Sequence, residues 1–116
     1  MKKLFLFLLL TAIVFVPFSK AAYVKNQPCQ VTQPDGRIIS CFVSGDEFFN
    51  WLHDAEGYTI VQAADGYYYY GVRSGDLVVP SPYKVLDVDP RAAGLPRWAK
   101  VSKQEYLRRK STFAVQ

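Results

Sequence analysis

The chain has 116 residues, with 14 Lys and Arg against 10 Asp and Glu, one His and two Cys. A single histidine excludes H-E-x-x-H and every other multi-histidine metal site within the chain. One His and two Cys supply at most three zinc ligands, without the paired spacing such sites use.

Met1-Lys2-Lys3 is a short positive stretch, and Leu4 to Phe18 is an apolar run broken only by Thr11. Ser19-Lys20-Ala21 then places small residues at the −3 and −1 positions of a cleavage site, so residues 1–21 read as a secretory signal peptide. The run falls short of the roughly 20 apolar residues of a spanning helix. Ala22 and Tyr23, not a Cys, come after the cleavage site, which argues against a lipoprotein. The expectation is an exported chain, extracellular or periplasmic, with no stable membrane span after cleavage. Removing 21 of 116 residues leaves 95, one small domain with a modest core.

Charge is unevenly placed. Residues 22–90 hold four basic residues (Lys25, Arg37, Arg73, Lys84) against nine acidic ones, a net of −5. From Arg91 onward there are seven basic residues and one acid, Glu105, a net of +6. This asymmetry marks a boundary near Pro90 between an acidic globular unit and a basic tail. For an exported chain the tail reads as a solvated helix face, and no nucleic-acid partner is expected.

Cys29 to Gln33 and Arg37 to Val43 read as strands flanking Pro34-Asp35-Gly36, a three-residue hairpin loop. Counting outward from Gln33 opposite Arg37 sets Cys29 opposite Cys41, where the two form either a disulfide or a pair of packed free thiols. Ser44 and Glu47 make an S-x-x-E capping box, with Val43 and Phe48 as its apolar staple and Asp46 at the positive helix end. Phe48, Trp51 and Leu52 share a face at helical spacing, so a short helix is expected from Ser44 to Asp54, stopped by Ala55-Glu56-Gly57.

Tyr58 to Ala63, Tyr67 to Val72 and Leu77 to Val79 read as a three-stranded meander, turning at Ala64-Asp65-Gly66 and Ser74-Gly75-Asp76. Tyr67, Tyr68, Tyr69 and Tyr70 alternate between two faces. They form either a strand covered on both sides or an aromatic interaction surface for a peptide, a glycan or another domain. Tyr83 to Val88 is a further edge strand bracketed by Pro80, Pro82 and Pro90. Residues 89–101 are Pro- and Gly-punctuated linker, and residues 102–116 begin with a second capping box, Ser102 with Glu105, opening a basic amphipathic helix. That helix stops without a C-cap and reads as the start of a further region. The fold class is α+β: a small antiparallel sheet of 22–88 packed with one short capped helix, then a C-terminal helix after the linker.

No catalytic site emerges. A Cys41–His53 nucleophile pair lacks a flanking motif, and His53 reads more simply as a charge at the expected helix C-terminus. The acids of the first unit have roles as caps and turn residues, and the glycines serve turns and strands. No metal or cofactor is expected in this chain.

Four motifs occur in order: T-x-P-D-G at Thr32 to Gly36 (with Asp35), G-D-E-aromatic at Gly45, Asp46, Glu47 and Phe48, D-x-x-G-Y-T at Asp54, Gly57, Tyr58 and Thr59, and D-G-aromatic at Asp65, Gly66 and Tyr67. The ordered set resembles the N-terminal, pre-catalytic region of secreted bacterial M6-type metalloproteases, the immune-inhibitor-A-like family. The resemblance implies a non-catalytic prosegment or accessory domain. Its partner is a metalloprotease catalytic domain in cis or in trans, and zinc is implied only for that absent domain. The family's zinc helix has no counterpart here, so no catalytic residue carries over. The other reading is a free-standing exported module that binds a peptide or glycan on its tyrosine strand.

Overall fold

Three turns of one construction set the register of the chain. In the first, the Gln33 amide donates to the Arg37 carbonyl at 2.7 Å and the Gly36 amide to the Gln33 carbonyl at 2.8 Å. Asp54–Tyr58 and Ala63–Tyr67 repeat the pattern, closing with Gly57 and Gly66. All three glycines have positive φ, as a bulged three-residue hairpin requires. An aspartate carboxylate fastens each turn: Asp35 accepts from the Arg37 amide, Asp54 from those of Glu56 and Tyr58, and Asp65 from that of Tyr67.

The structure, a computed structural model, describes residues 23–115; the expected signal peptide, 1–21, lies outside them. The turns help link six strands, β1 (Val24–Thr32), β2 (Ile38–Gly45), β3 (Asn50–His53), β4 (Thr59–Gln62), β5 (Tyr68–Ser74) and β6 (Leu77–Lys84), succeeded by one helix, α1 (Lys103–Val115). They form one antiparallel sheet in chain order, β1 to β6. The fold is α+β, an antiparallel meander with a C-terminal helix.

The short helix expected from Ser44 to Asp54 is not formed; a turn and β3 take its place. Gly45 has φ of 122°, and a Cβ there would lie 2.2 Å from the Phe49 carbonyl oxygen, so the chain reverses at a point only glycine fits. Asp46 closes the reversal by accepting from the Phe48 and Phe49 amides at 2.9 and 3.1 Å. The Ser44 hydroxyl, the expected helix cap, bonds His53 across the hairpin instead. Trp51 and His53 are buried on one face with Leu52 between them on the other, and β3 adds its backbone to the ladder of β2. Aromatic residues suit such a pleated surface, and burial there outweighs the local cap. The separate edge strand expected at Tyr83 to Val88 is also absent. β6 continues through Pro80 and Pro82, where its ladder with β5 is irregular between Gly71–Pro80 and Tyr69–Lys84, and both prolines are tolerated because β6 is an edge.

One sheet face carries the core of Ile39, Cys41, Tyr58, Ile60, Tyr70 and Val85, with Val31, Leu52, Tyr68 and Leu95 packed against it. The buried amide of Gln33 ties the first turn to this core: it donates to the carbonyls of Tyr68 and Val85, both at 3.1 Å, and accepts from the Tyr68 amide at 2.8 Å.

The stretch expected to be a linker, 89–101, folds back on the sheet. Leu95 packs on the core face, and the chain then passes the Asp54–Tyr58 turn. There Arg91 pairs with the Glu56 carboxylate at 2.8 Å and Arg97 donates to the Glu56 carbonyl at 2.6 Å. Beyond the turn, Ala99 accepts from the Thr59 hydroxyl at 2.7 Å and the Ser102 amide donates to Asp76. Ala99, Val101 and Ser102 are buried. This strap is integral to the unit, and the change in composition at Pro90 marks a change of path, not a domain edge.

Candidate functional site

The second sheet face gathers the polar groups that the core leaves out. His53 pairs across the ladder with Phe42 and Thr59, and only 1% of its surface is exposed. Its Nδ1 lies 2.7 Å from the Asp54 carbonyl, an acceptor, so Nδ1 carries a proton, and in the neutral ring Nε2 is the acceptor. The Ser44 hydroxyl lies 2.8 Å from Nε2, to which it donates when the ring is neutral, while its oxygen accepts from the Asn26 amide at 2.9 Å. Phe42, Trp51 and Trp98 ring the imidazole, with centroids at 5.9, 6.1 and 5.1 Å.

A hydroxyl, a base and a group orienting the base are thus in line, in the order a serine nucleophile uses. Burial decides against that use. Ser44 is 3% exposed, both of its hydrogen-bonding directions are satisfied, and Trp98 lies over the imidazole. The arrangement works as a satisfied polar tie between β1, β2 and β3. Sequence reasoning missed Ser44 as a partner of His53, since the two become neighbours only once β2 and β3 pair.

The Cys41–His53 pair is not brought together. Cys41 belongs to the core face and His53 to the other. Burial, and next the adjoining Cys29, push the Cys41 thiol up to about 12, so it is neutral near pH 7. Cys29 and Cys41 do face each other, as the hairpin count requires, with sulfurs 3.2 Å apart.

The tyrosine run divides as alternation demands. Tyr68 and Tyr70 face the core, and Tyr70 stands edge-on to Tyr58. Tyr69 takes the other face, where its hydroxyl donates to Asp65 at 2.6 Å, and the Lys84 ammonium sits 3.8 Å from the Tyr67 ring centroid. The exposed half of the run is engaged by the chain's own charges.

The remaining motif residues are docking points. Gly57 seats Trp98, Tyr58 enters the core and Thr59 holds Ala99. Asp46 accepts from the Tyr106 hydroxyl, and Phe48 meets the Tyr106 ring edge-on at 6.1 Å. Glu47 is exposed. A groove of about 450 Å³ is lined by Phe49, Trp51, Val61, Leu77, Val78 and Val101, with Arg109 of α1 also at its wall. Among the described residues no three His, Cys, Asp or Glu side chains converge as a metal site would need, and no helix is long and apolar enough to cross a membrane.

Compared with protein-family models, curated proteins and solved structures, the chain matches none. Its class therefore rests on its own geometry: a six-stranded antiparallel meander, strapped across both faces by the residues after β6, with a helix docked by its first turn.

Proposed function

We propose that this chain is an exported, non-catalytic prosegment or accessory domain of an M6-like zinc metalloprotease, which assists the folding or latency of a catalytic domain outside this sequence. The supporting observation is the use made of the motif residues. Asp46, Phe48, Gly57 and Thr59 together receive the strap and the first turn of α1. The motifs thereby serve to fix the direction in which the chain leaves the sheet, which suits a module that presents a C-terminal neighbour. Beyond Tyr106, Leu107, Arg108 and Lys110 are exposed, leaving the helix free to meet a partner.

The test is to read the gene past the codon for Gln116, then assay the segment in trans. The expected result is an open frame reaching an H-E-x-x-H helix, and a catalytic domain whose refolding yield rises or whose hydrolysis slows when this chain is added. A frame without such a helix, or a catalytic domain indifferent to the chain, overturns the proposal. The alternative of a module reading glycans or peptides on the tyrosine strand has less support, because Lys84 and Asp65 already engage its outward rings.

A further inference from the structure

β1 is an edge strand held mainly by its backbone ladder to β2. Its side chains are exposed except for Cys29 and Val31, which are half-buried, and its ladder with β2 is irregular between Val24 and Gln27. Yet β1 has a structural task, since the Asn26 amide completes the bonding of Ser44, which in turn fixes His53. An edge with so little burial would open readily by local unfolding. Farther along the same ladder, towards the Gln33–Arg37 turn, Cys29 and Cys41 are directly opposed in register with their sulfurs 3.2 Å apart.

We propose that Cys29 and Cys41 are an oxidation site, and that their disulfide locks the middle of β1 onto β2. Opposed residues of an antiparallel ladder have Cα atoms about 4.5–5.5 Å apart, within the roughly 4.4–6.8 Å span of disulfides. A cavity of about 460 Å³ lined by Pro28, Cys29, Gln30, Ser40, Cys41 and Phe42 gives a small oxidant access. The oxidant is an external disulfide such as oxidised glutathione. The half-buried Cys29 loses its proton and attacks one of its sulfurs, forming a mixed disulfide and releasing one thiolate. Cys41 then loses its proton and attacks the Cys29 sulfur, forming the Cys29–Cys41 bond and releasing the second thiolate. The protein gives up two protons and two electrons, and the oxidant becomes two thiols. The site stands on geometry independent of the prosegment reading; export would supply the oxidising surroundings.

The test exposes the purified full chain to a glutathione redox buffer, then measures intact mass, alkylatable thiols and amide exchange of β1 in oxidised and reduced samples. The expected product is a monomer lighter by two hydrogens with no free thiol. The amides of Gln27, Cys29 and Val31, which face β2, should exchange about tenfold more slowly than in the reduced chain, while those of β4 and β5 stay unchanged. A Cys41→Ser chain should stop at the mixed disulfide on Cys29. Two alkylatable thiols, a disulfide-linked dimer as the main product, or equal β1 exchange in both states each overturn the proposal. The N-terminal mass of the secreted product reports on export separately.

Discussion

The Trp98 indole fills the space that a side chain on residue 57 would need. A Cβ on Gly57 would lie 2.3 Å from Trp98 Cε2, and the Trp98 amide donates to the Gly57 carbonyl at 2.6 Å. Trp98 itself has a positive φ of 56°, a conformation costly for a bulky residue, so the strap's docking must outweigh that strain. Gly57→Ala should therefore undo more than a turn. Gly36 is the control, with φ of 93° against 94° at Gly57 and nothing within 4 Å of its missing Cβ. Gly36→Ala should cost about 1–2 kcal/mol from backbone strain alone. Gly57→Ala should cost about 3–4 kcal/mol and shift the Trp98 fluorescence toward that of solvated indole. Equal losses in urea melts of the two variants would show that the indole contact contributes nothing.

Gln33 makes a second link that is sensitive to a single atom. Its amide joins the first turn to Tyr68 and Val85 with three hydrogen bonds, at 1% exposure. Gln33→Ala leaves the Tyr68 amide and the Val85 carbonyl to seek partners, while the Tyr68 carbonyl keeps the Val85 amide, at a cost of about 2–3 kcal/mol. Gln33→Glu keeps the shape but sets a carboxylate against two carbonyl oxygens. Its folded pKa should rise, so that variant should regain stability as the pH falls toward about 4, where a protonated carboxyl can donate. Urea midpoints for wild type and both variants across that range check the sign.

Much of this fold is legible in the sequence wherever the cause is local. The Asp-Gly turns fix their own geometry, and counting from the first of them sets Cys29 against Cys41. Ser102 caps α1 by accepting from the Glu105 amide. Glu105, however, turns to Arg108 and Arg109 instead of completing the box. The misreadings share a non-local cause. Ser44 and Glu47 have the letters of a cap, but the partner that claims the Ser44 hydroxyl lies on the next strand. Four residues of β3 are too few to establish a two-residue period against a helical one. The strap from Asp89 to Val101 has a linker's composition, and its burial depends on Gly57 and Thr59, far away in sequence. Gln33, polar and placed at a turn, gives no local sign that it is buried.

The hold of α1 on the sheet should depend on pH in both directions. At Asp46, burial opposes ionisation, but the Tyr106 hydroxyl, the Phe49 and Phe48 amides and the Lys110 charge outweigh it and keep the pKa below the usual 3.8. At Glu105, hydrogen bonds from Arg108 and Arg109 lower the pKa to about 2. Both folded pKa values are depressed, so this stabilisation is complete above the ordinary carboxylate range and is lost as the pH falls through the folded values. The Asp46 bond raises the Tyr106 pKa above its ordinary 10, so the neutral-phenol contribution is complete below pH 10 and fades above it. Amide exchange at residues 103–109, corrected for intrinsic rate, should show greatest protection at intermediate pH. Tyr106→Phe should remove the alkaline loss and reduce the acid one. An unchanged profile in that variant would exclude the Asp46–Tyr106 bond as the tether.

The packing of the strap also sets where the folded unit ends. A chain stopped at Val88 has the length that its charge pattern suggests, yet it lacks Leu95, Ala99 and Val101, which pack against the sheet, and Trp98, which lies over His53. At about 25 cal/mol per Å² of apolar surface, losing a Val, a Leu and part of an indole removes about 4–6 kcal/mol. That is comparable with the whole stability of a small domain, roughly 5–15 kcal/mol. The chain stopped at Val88 should thus be largely unfolded at room temperature. One stopped at Leu107 keeps the strap, the Ser102 amide bond to Asp76 and the Tyr106 bond to Asp46. It should melt cooperatively, within about 1 kcal/mol of the full chain, since the exposed turns of a surface helix contribute little. Circular dichroism melts of the two truncations distinguish these outcomes. A stable, cooperative chain ending at Val88 would show that the strap rests on a sheet able to stand without it.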